Sequence, residues 1–223
     1  MGYRTLLIDP EGLLYTRPSQ DTYLYAYLEN LGIKPRHPQI TQRALKAAQF
    51  DVMHGRIERD SFYDAILRFH GVQERDLGTG RSVVLKDRLS ATAMLGAAEV
   101  IETLVGANFK LVIVTNTEHS SRDILQMLEG IGFPNTWWER AIASAEVKQA
   151  LPDALFFEKA LSLIEANPIE TAYVTANTSH LPRRTEHSVD IIAYRITRES
   201  APASHYVQSL MELVTLVKAS KPL

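Results

Sequence analysis

Two carboxylates, Asp9 and Glu11, stand two residues apart where the sequence changes character abruptly near its start. An apolar run at residues 6–8 precedes them. Pro10 cannot donate to a sheet ladder, and Gly12 permits a sharp turn, so the pattern predicts a buried strand that ends at Asp9. Because ligands bind at the carboxyl ends of strands in open α/β sheets, this pair suits a nucleophile and a general acid/base. The same stretch is also compatible with a strand ended by ordinary polar turn residues.

The overall composition is that of an ordinary folded protein. The 223 residues are 45% hydrophobic and 22% charged, which excludes a disordered chain, and a net charge of -2 implies no general attraction to nucleic acid. The absence of cysteine rules out disulfides, thiolate metal sites and cysteine nucleophiles, and it favours a reducing compartment. Since no apolar run is long enough to cross a bilayer and no basic-plus-apolar leader precedes the first strand, we expect a cytoplasmic protein without membrane partners.

The region between residues 16 and 89 has helical patterns and no convincing strand. Apolar spacing and stop signals predict helices over residues 23–31, 38–54 and 58–69, and the Gly-Thr-Gly at residues 78–80 predicts a loop. In the second of these helices, Ile40 and Val52 are among the residues expected to face inward. We therefore predict a small helical insert.

The sequence from residue 90 onward alternates between strand and helix patterns. The predicted strands cover residues 110–114, 141–143, 171–174 and 191–194, and the predicted helices cover 97–105, 120–129, 154–164 and 205–218. Such alternation is typical of a doubly wound parallel sheet with right-handed crossovers. The predicted fold is thus an α/β core formed by residues 1–15 and 90–223, with residues 16–89 as a helical cap.

This order of elements resembles the haloacid dehalogenase (HAD) superfamily, in which a helical cap is inserted after the first strand. Four stretches carry the resemblance, in the family's order and at strand ends or the loops after them: residues 7–13, 111–116, 151–157 and 172–177. The resemblance covers nearly the whole chain. It implies a Rossmann-like core and, for a typical member, hydrolysis through a covalent aspartyl intermediate.

By this resemblance, Asp9 matches the nucleophile and Glu11 the second acid, which handles protons. Thr115 matches the residue that binds the transferring group, and Asn116 follows it as is often seen. The usual first motif is Asp-x-Asp-Gly-Thr, so Glu11 replaces an aspartate and Leu13 a threonine. Glutamate is one methylene longer, and a displacement near 1 Å can cost about 10²-fold in rate.

The third and fourth motifs depart further from the family pattern. A lysine usually precedes Pro-Asp and pairs with the nucleophile, a role that Leu151 cannot fill. Lys148, three residues upstream, either reaches into this place or points to solvent, as loop lysines usually do. Ala176 stands where the family carries an acid that helps to hold magnesium. Asp9 and Glu11 alone would bind Mg²⁺ weakly, so we expect no cofactor or a weakly bound Mg²⁺.

The metal-free 2-haloacid dehalogenases depart from the usual family motifs in a similar way. Their fourth motif is Ser-Ser-Asn with an aspartate three residues after the asparagine, and Thr175-Ala176-Asn177 is similar, with His180 in the aspartate's place. A histidine there is suited to deprotonate the water that hydrolyses an ester on Asp9. The missing lysine counts against this assignment, as does Glu11, which stands where this group usually carries an aromatic residue. Loop exposure favours His180 as a surface histidine.

Two functional hypotheses follow from these substitutions. The favoured one is a HAD-like protein with impaired or altered catalysis that binds a small anionic molecule or a protein partner. Losing a single transition-state contact costs about 3 kcal/mol, and here the lysine and the metal site are both lost. The alternative is an active hydrolase, phosphatase or dehalogenase that uses Asp9. A homodimer is compatible with either, and Arg183-Arg184 could bind an anion.

Overall fold

The computed structural model describes residues 2–18, 21–181, 189–200 and 202–220. Its strands form a six-stranded sheet and a two-stranded sheet. In chain order, the strands are β1 (Thr5–Ile8), β2 (Tyr15–Thr16), β3 (Thr92–Ala93), β4 (Lys110–Thr115), β5 (Arg140–Ala143), β6 (Thr171–Thr175), β7 (Asp190–Tyr194) and β8 (His205–Val207). The helices are α1 (Thr22–Asn30), α2 (Pro38–Met53), α3 (Arg59–His70), α4 (Leu77–Arg88), α5 (Ala97–Gly106), α6 (Ser121–Gly130), α7 (Ser144–Val147), α8 (Ala154–Leu163) and α9 (Leu210–Ala219). The candidate anion-binding pair Arg183-Arg184 lies outside the described residues.

The larger sheet is parallel, with the order β5-β4-β1-β6-β7-β8. All four residues of β1 are buried, because helices cover both faces of the sheet, as the continuous apolar run predicts. Ile8 is in register with Ile113 of β4 and with Val174 of β6. The residues that follow these three strands therefore meet at one edge. The predicted fold class, a doubly wound parallel α/β sheet, is confirmed.

The four helices α1 to α4 form a separate layer above the carboxyl edge of the sheet. They share their own hydrophobic cluster, which includes Leu24, Leu28, Phe62, Ile66 and Leu67. The short antiparallel ribbon of β2 and β3 connects this layer to the core on both sides. The four helices lie between residues 22 and 88, inside the predicted insert. Among the described residues, no helix has the length and apolar composition that a membrane span requires.

Two expectations for the insert were wrong. Residues 78–80 do not form a loop, because they lie in the first turns of α4. A Cβ on Gly80 would lie 2.7 Å from both terminal methyl carbons of Leu67, so the missing side chain lets α3 and α4 pack closely. Ile40 does not face inward. It is 56% exposed, whereas Val52, near the other end of α2, is buried.

The predicted helix over residues 205–218 was also wrong in its first part. Its first three residues form the edge strand β8, and α9 begins only at Leu210. The Ser209 hydroxyl accepts a hydrogen bond from the backbone N–H of Glu212 at 3.1 Å, which caps the helix there. Val207 is buried in the strand as it would have been in a helix, so apolar spacing alone did not separate the two structures.

Candidate active site

Asp9 lies at the carboxyl end of β1 and is 1% exposed. Its backbone N–H donates to the Val174 carbonyl at 2.9 Å and extends the pairing of β1 with β6 by one residue. One carboxylate oxygen, Oδ2, accepts hydrogen bonds from the Thr175 hydroxyl at 2.7 Å and from the Tyr173 hydroxyl at 3.3 Å. Burial, reinforced by the charge of Asp9, raises the pKa of Tyr173 well above its ordinary value, so this hydroxyl remains a donor. The carboxylate is thus bound from the adjacent strand.

His180 adds a third contact to the same carboxylate oxygen. It ends a single 3₁₀ turn, Thr178–His180, whose N-terminus is capped by the Asn177 side chain. This turn brings Nδ1 of His180 to 2.7 Å from Oδ2 of Asp9, with the histidine side chain 17% exposed. The interpretation of His180 as a surface loop histidine is therefore wrong, because the capped turn directs the ring back onto the end of β1.

Two asparagine amides fix the tautomer that we assign to His180. Asn116 Nδ2 donates to the Leu151 carbonyl at 2.9 Å, and its Oδ1 accepts from the Leu151 N–H at 2.8 Å, which sets the orientation of this amide. Asn177 Oδ1 accepts from the Ser179 N–H at 2.9 Å. Both amides therefore present an N–H group to Nε2 of His180, each at 3.3 Å. Nε2 must carry the lone pair, so Nδ1 carries the proton and donates it to Asp9.

Neither Leu151 nor Lys148, the two residues considered for the third motif, has a side chain that contacts Asp9. The side chain of Leu151 is 5% exposed and packs in the core, so Leu151 contributes only its backbone to the site. Lys148 follows α7 with a left-handed φ of 56° and lines the cleft beside Gly55. Lys148 is exposed, in agreement with the alternative that it points to solvent. Among the described residues, the nitrogen within ion-pair distance of the Asp9 carboxylate belongs to His180.

Glu11 and Thr115 do not join the contacts around Asp9. The Glu11 side chain is 57% exposed and pairs with Arg17, whose Nε lies 3.3 Å from Glu11 Oε2. Thr115 is buried at the end of β4, in register with Ala143 of β5. Within the described part of the chain, no hydrogen bond joins its hydroxyl to Asp9. The structure therefore brings together Asp9, Asn116, Asn177 and His180 but leaves Glu11, Thr115 and Lys148 apart from them.

The side chains at this edge do not fit a magnesium ion. Oδ2 of Asp9 already accepts three hydrogen bonds, and Glu11 is paired with Arg17. Ala176, where the resemblance implies an acid, packs against Gly12, where a Cβ would lie 3.0 Å from the Ala176 Cβ. In the described ranges, no three His, Cys, Asp or Glu side chains form a group that could hold a metal. The oxygen ligands that Mg²⁺ prefers do not converge here.

A cavity of about 260 Å³ lies between the cap and the edge of the sheet. Its described charged lining consists of four carboxylates and two guanidinium groups: Glu11, Asp21, Asp87 and Glu118, and Arg17 and Arg88. Arg17 is already engaged by the Glu11 carboxylate, the Arg88 carbonyl and the Tyr15 hydroxyl. The expected small anionic ligand remains a prediction, although this lining gives an anion little positive charge to bind.

Sequence reasoning missed two features of this region. Tyr173 was assigned only to a strand, but it lies two residues before Thr175, so strand alternation puts both side chains on the same face. That spacing was the available signal. Glu118 and His119 were given no role, although both line the cavity and are buried. Nothing in the local sequence distinguishes them from ordinary loop residues.

Comparisons with known proteins find similarity in structure alone. No family model matches the chain, and no curated protein matches it. A 2-haloacid dehalogenase from Pseudomonas syringae is 15% identical, covering 97% of this chain and 98% of its own, with a TM-score of 0.71. An L-2-haloacid dehalogenase from Xanthobacter autotrophicus, with chloropropionic acid covalently bound, is 15% identical, covering 98% and 100%, with a TM-score of 0.68. A putative HAD-hydrolase from Bacillus subtilis bound to magnesium is 16% identical, covering 98% and 100%, with a TM-score of 0.71.

Proposed function

Because the chain has the haloacid dehalogenase fold with a helical cap, we propose that it catalyses a metal-independent hydrolysis through an ester on Asp9. One observation carries the proposal. Three donors, from Thr175, Tyr173 and His180, converge on one oxygen of Asp9. Among the described residues, no donor lies within hydrogen-bonding distance of the other oxygen, Oδ1. That oxygen is the one available to attack a substrate.

The first step joins Oδ1 of Asp9 to an electrophilic carbon of the substrate. The bond between that carbon and its leaving group breaks, and the leaving group departs with the electron pair. Asp9 is then a neutral ester in which Oδ2 is the carbonyl oxygen. The three donors that bind the carboxylate are already directed at this oxygen and need no rearrangement for the second step.

The second step is attack by water on the carboxyl carbon of the Asp9 ester. Negative charge develops on Oδ2 in the tetrahedral intermediate, where the Thr175 and His180 donors lie at 2.7 Å. The intermediate collapses by breaking the bond from the carboxyl carbon to Oδ1. The product leaves as an alcohol with one proton of the water, the other proton is released to solvent, and Asp9 returns to a carboxylate. A single oxyanion donor of this kind is worth about 10²–10³ in kcat.

The same arrangement favours a carbon electrophile over phosphorus. Hydrolysis of an aspartyl phosphate proceeds by attack at phosphorus, so no tetrahedral intermediate forms at the carboxyl carbon, and the charge of the departing carboxylate is shared between Oδ1 and Oδ2. A phosphoryl group also needs cations for its oxygens, yet Leu151 replaces the family's lysine and the described side chains do not fit magnesium. The proposed chemistry therefore resembles that of the 2-haloacid dehalogenases, with His180 supplying the nitrogen donor that lysine gives elsewhere in the family.

A second candidate function is ligand binding without turnover. Both ring nitrogens of His180 are engaged, Nδ1 by Asp9 and Nε2 by the amides of Asn116 and Asn177. The histidine is therefore not placed to remove a proton from the attacking water unless these contacts open. This observation favours a protein with eroded catalysis that binds a small molecule or a protein partner in its cap–core cavity.

Isotope labelling tests the proposal directly. The protein is incubated with an excess of the uncharged 2-chloropropionamide in H₂¹⁸O containing EDTA, and halide release is measured beside the mass of the peptide that contains Asp9. We expect metal-independent halide release, ¹⁸O in Asp9, and loss of both in Asp9→Asn. Hydrolysis of p-nitrophenyl phosphate that requires Mg²⁺ would overturn the proposal. Binding of 2-chloropropionamide without halide release would instead support the second candidate.

A further inference from the structure

The loop between β4 and α6 holds two buried side chains, Glu118 and His119, in a fixed position at the cap–core boundary. Ser144 Oγ accepts a hydrogen bond from the Thr117 N–H at 3.0 Å, and Thr117 Oγ1 accepts one from the His119 N–H at 3.1 Å. Ser120 then caps α6. Because the backbone is fixed on both sides, Glu118 and His119 are held in place where they line the cavity.

Polar atoms of these two side chains lack hydrogen-bond partners among the described residues. His119 is 1% exposed, yet neither of its ring nitrogens has a hydrogen bond, and Oε1 of Glu118 has none. Glu118 Oε1 lies 3.9 Å from Arg88 Nε, within ion-pair distance, and 3.7 Å from His119 Nε2, but both distances are too long for a hydrogen bond. Buried polar groups in folded proteins almost always have partners, so these atoms mark a place where another group is expected to bind.

The two atoms suit a group with several N–H donors. A nitrogen about 2.9 Å from each atom fits between Glu118 Oε1 and His119 Nε2, which are 3.7 Å apart. Burial lowers the pKa of His119, although Glu118 opposes this effect, so the ring offers a lone pair and not a second positive charge. An ammonium group can donate to both acceptors, whereas a carboxylate or phosphate would meet the like charge of Glu118.

The rest of the lining agrees with this choice. Four carboxylates and two guanidinium groups face the cavity, and Arg17 is already paired with Glu11. Asp21 has no ion pair with any other described residue. The cavity also reaches the candidate active site, since Asn116 lines it and contacts His180. Asn116 therefore links the lining of the cavity to His180, the partner of Asp9, although neither Asp9 nor His180 lines the cavity itself.

We infer that the cap–core cavity binds a small molecule that carries a protonated amine, with the ammonium group between Glu118 and His119. Only the expectation that the other end of this molecule reacts at Asp9 rests on the proposed function. The ammonium site itself depends on the two unpartnered side chains and the charge of the lining. The inference thus names a substrate class that the hydrolysis proposal leaves open.

The experiment compares three probes of similar size, butylamine, 1-butanol and butyrate, by calorimetric titration of the full chain at pH 7. We expect butylamine to bind at least about tenfold more tightly than either of the others, because it can make a charge-assisted hydrogen bond to Glu118. Glu118→Gln keeps the shape and removes the charge, so it should weaken butylamine binding about tenfold or more. Glu102→Gln, an exposed change on α5, should leave butylamine binding unchanged.

Equal binding of butylamine and 1-butanol would overturn the inference, as would butylamine binding that is the same in Glu118→Gln and in the wild type. If Glu118→Gln does not fold, His119→Phe is used in its place. The comparison of the three probes on the wild-type protein then still tests whether the cavity prefers an amine. The outcome is separable from the hydrolysis proposal, since Asp9→Asn should bind butylamine as the wild type does. Amine binding without any turnover would support the ammonium site and contradict the hydrolysis proposal.

Discussion

The Nδ1 atom of His180 lies 2.7 Å from Oδ2 of Asp9. This contact gives the buried carboxylate a nitrogen donor, although Leu151 stands where the resemblance implies a lysine. A short charge-assisted hydrogen bond of this kind is among the stronger ones in proteins. The electrostatic partner of Asp9 therefore comes from the loop after β6, not from the loop before α8.

Replacing His180 is the first test of this relationship. In His180→Ala we expect kcat for hydrolysis to fall about 10²–10³-fold, because one of three donors to the developing oxyanion is lost. KM should change much less, since the ring is directed at Asp9 and not at the cavity. Steady-state kinetics of halide release check both values. An unchanged kcat would contradict the role assigned to the histidine.

The two hydroxyl donors from β6 should differ in importance. Thr175→Val removes the 2.7 Å contact and also leaves the Asn177 N–H without the hydroxyl that accepts it at 3.0 Å. Tyr173→Phe removes only the 3.3 Å contact. We expect a larger loss of kcat in Thr175→Val. Its unfolding free energy should fall by about 1–3 kcal/mol, against about 0.5–1.5 kcal/mol for Tyr173→Phe.

Steady-state kinetics and urea unfolding of both variants give the comparison. Both substitutions are nearly isosteric and keep the packing of the strand. Differences in kcat and in unfolding free energy therefore reflect the loss of each hydroxyl group. A greater loss of kcat in Tyr173→Phe than in Thr175→Val would show that the longer contact is the important one, contrary to the geometry.

The sequence was sufficient to predict how Asp9 is placed, but it was not sufficient to predict what contacts it. Apolar runs bounded by turn residues determine β1, β4 and β6, and strands of a parallel sheet end at a common edge. The His180 contact depends on a short capped turn whose direction no periodicity reveals. The same limit applies to Tyr173, whose hydroxyl reaches Asp9 only because β1 and β6 are adjacent in the sheet.

Local signals failed in a similar way where packing decided the structure. Gly78 and Gly80 indicate a loop by local sequence, yet both lie in α4, where the close approach of α3 requires a glycine at residue 80. The apolar spacing of residues 205–218 is compatible with a strand followed by a helix. Only pairing of β8 with β7 separates these alternatives, and that pairing is a long-range contact.

The packing of Gly80 against Leu67 gives a stability prediction with a matched control in the same helix. Gly80→Ala would bring a Cβ to 2.7 Å from the Leu67 methyl carbons in a buried position, so the unfolding free energy should fall by about 1–3 kcal/mol. Gly78→Ala meets no atom within 4 Å and should stabilise the helix by up to about 1 kcal/mol. Urea unfolding measures both. Equal effects of the two changes would contradict the packing explanation.

The ion pair of Asp64 and Arg81 should give the cap a defined dependence on pH. Arg81 donates from Nε and Nη2 to the two carboxylate oxygens of Asp64, each at 2.7 Å. These hydrogen bonds are the main reason that the pKa of Asp64 lies below its ordinary value, despite the opposing effect of burial. Stability from this carboxylate is therefore complete above about pH 4 and is lost as the pH falls through the lowered pKa.

Arg81→Met removes the guanidinium group and keeps the length of the side chain. At pH 7 we expect a lower unfolding free energy than in the wild type. The difference should shrink as the pH falls from 5 toward 2, because protonation of Asp64 removes the same interaction from the wild type. Urea unfolding at pH 7, 5 and 3 checks this, with Arg75→Met as the control, since Arg75 pairs with Asp76 and is 85% exposed. A difference as large at pH 3 as at pH 7 would show that Arg81 acts through packing and not through the charge of Asp64.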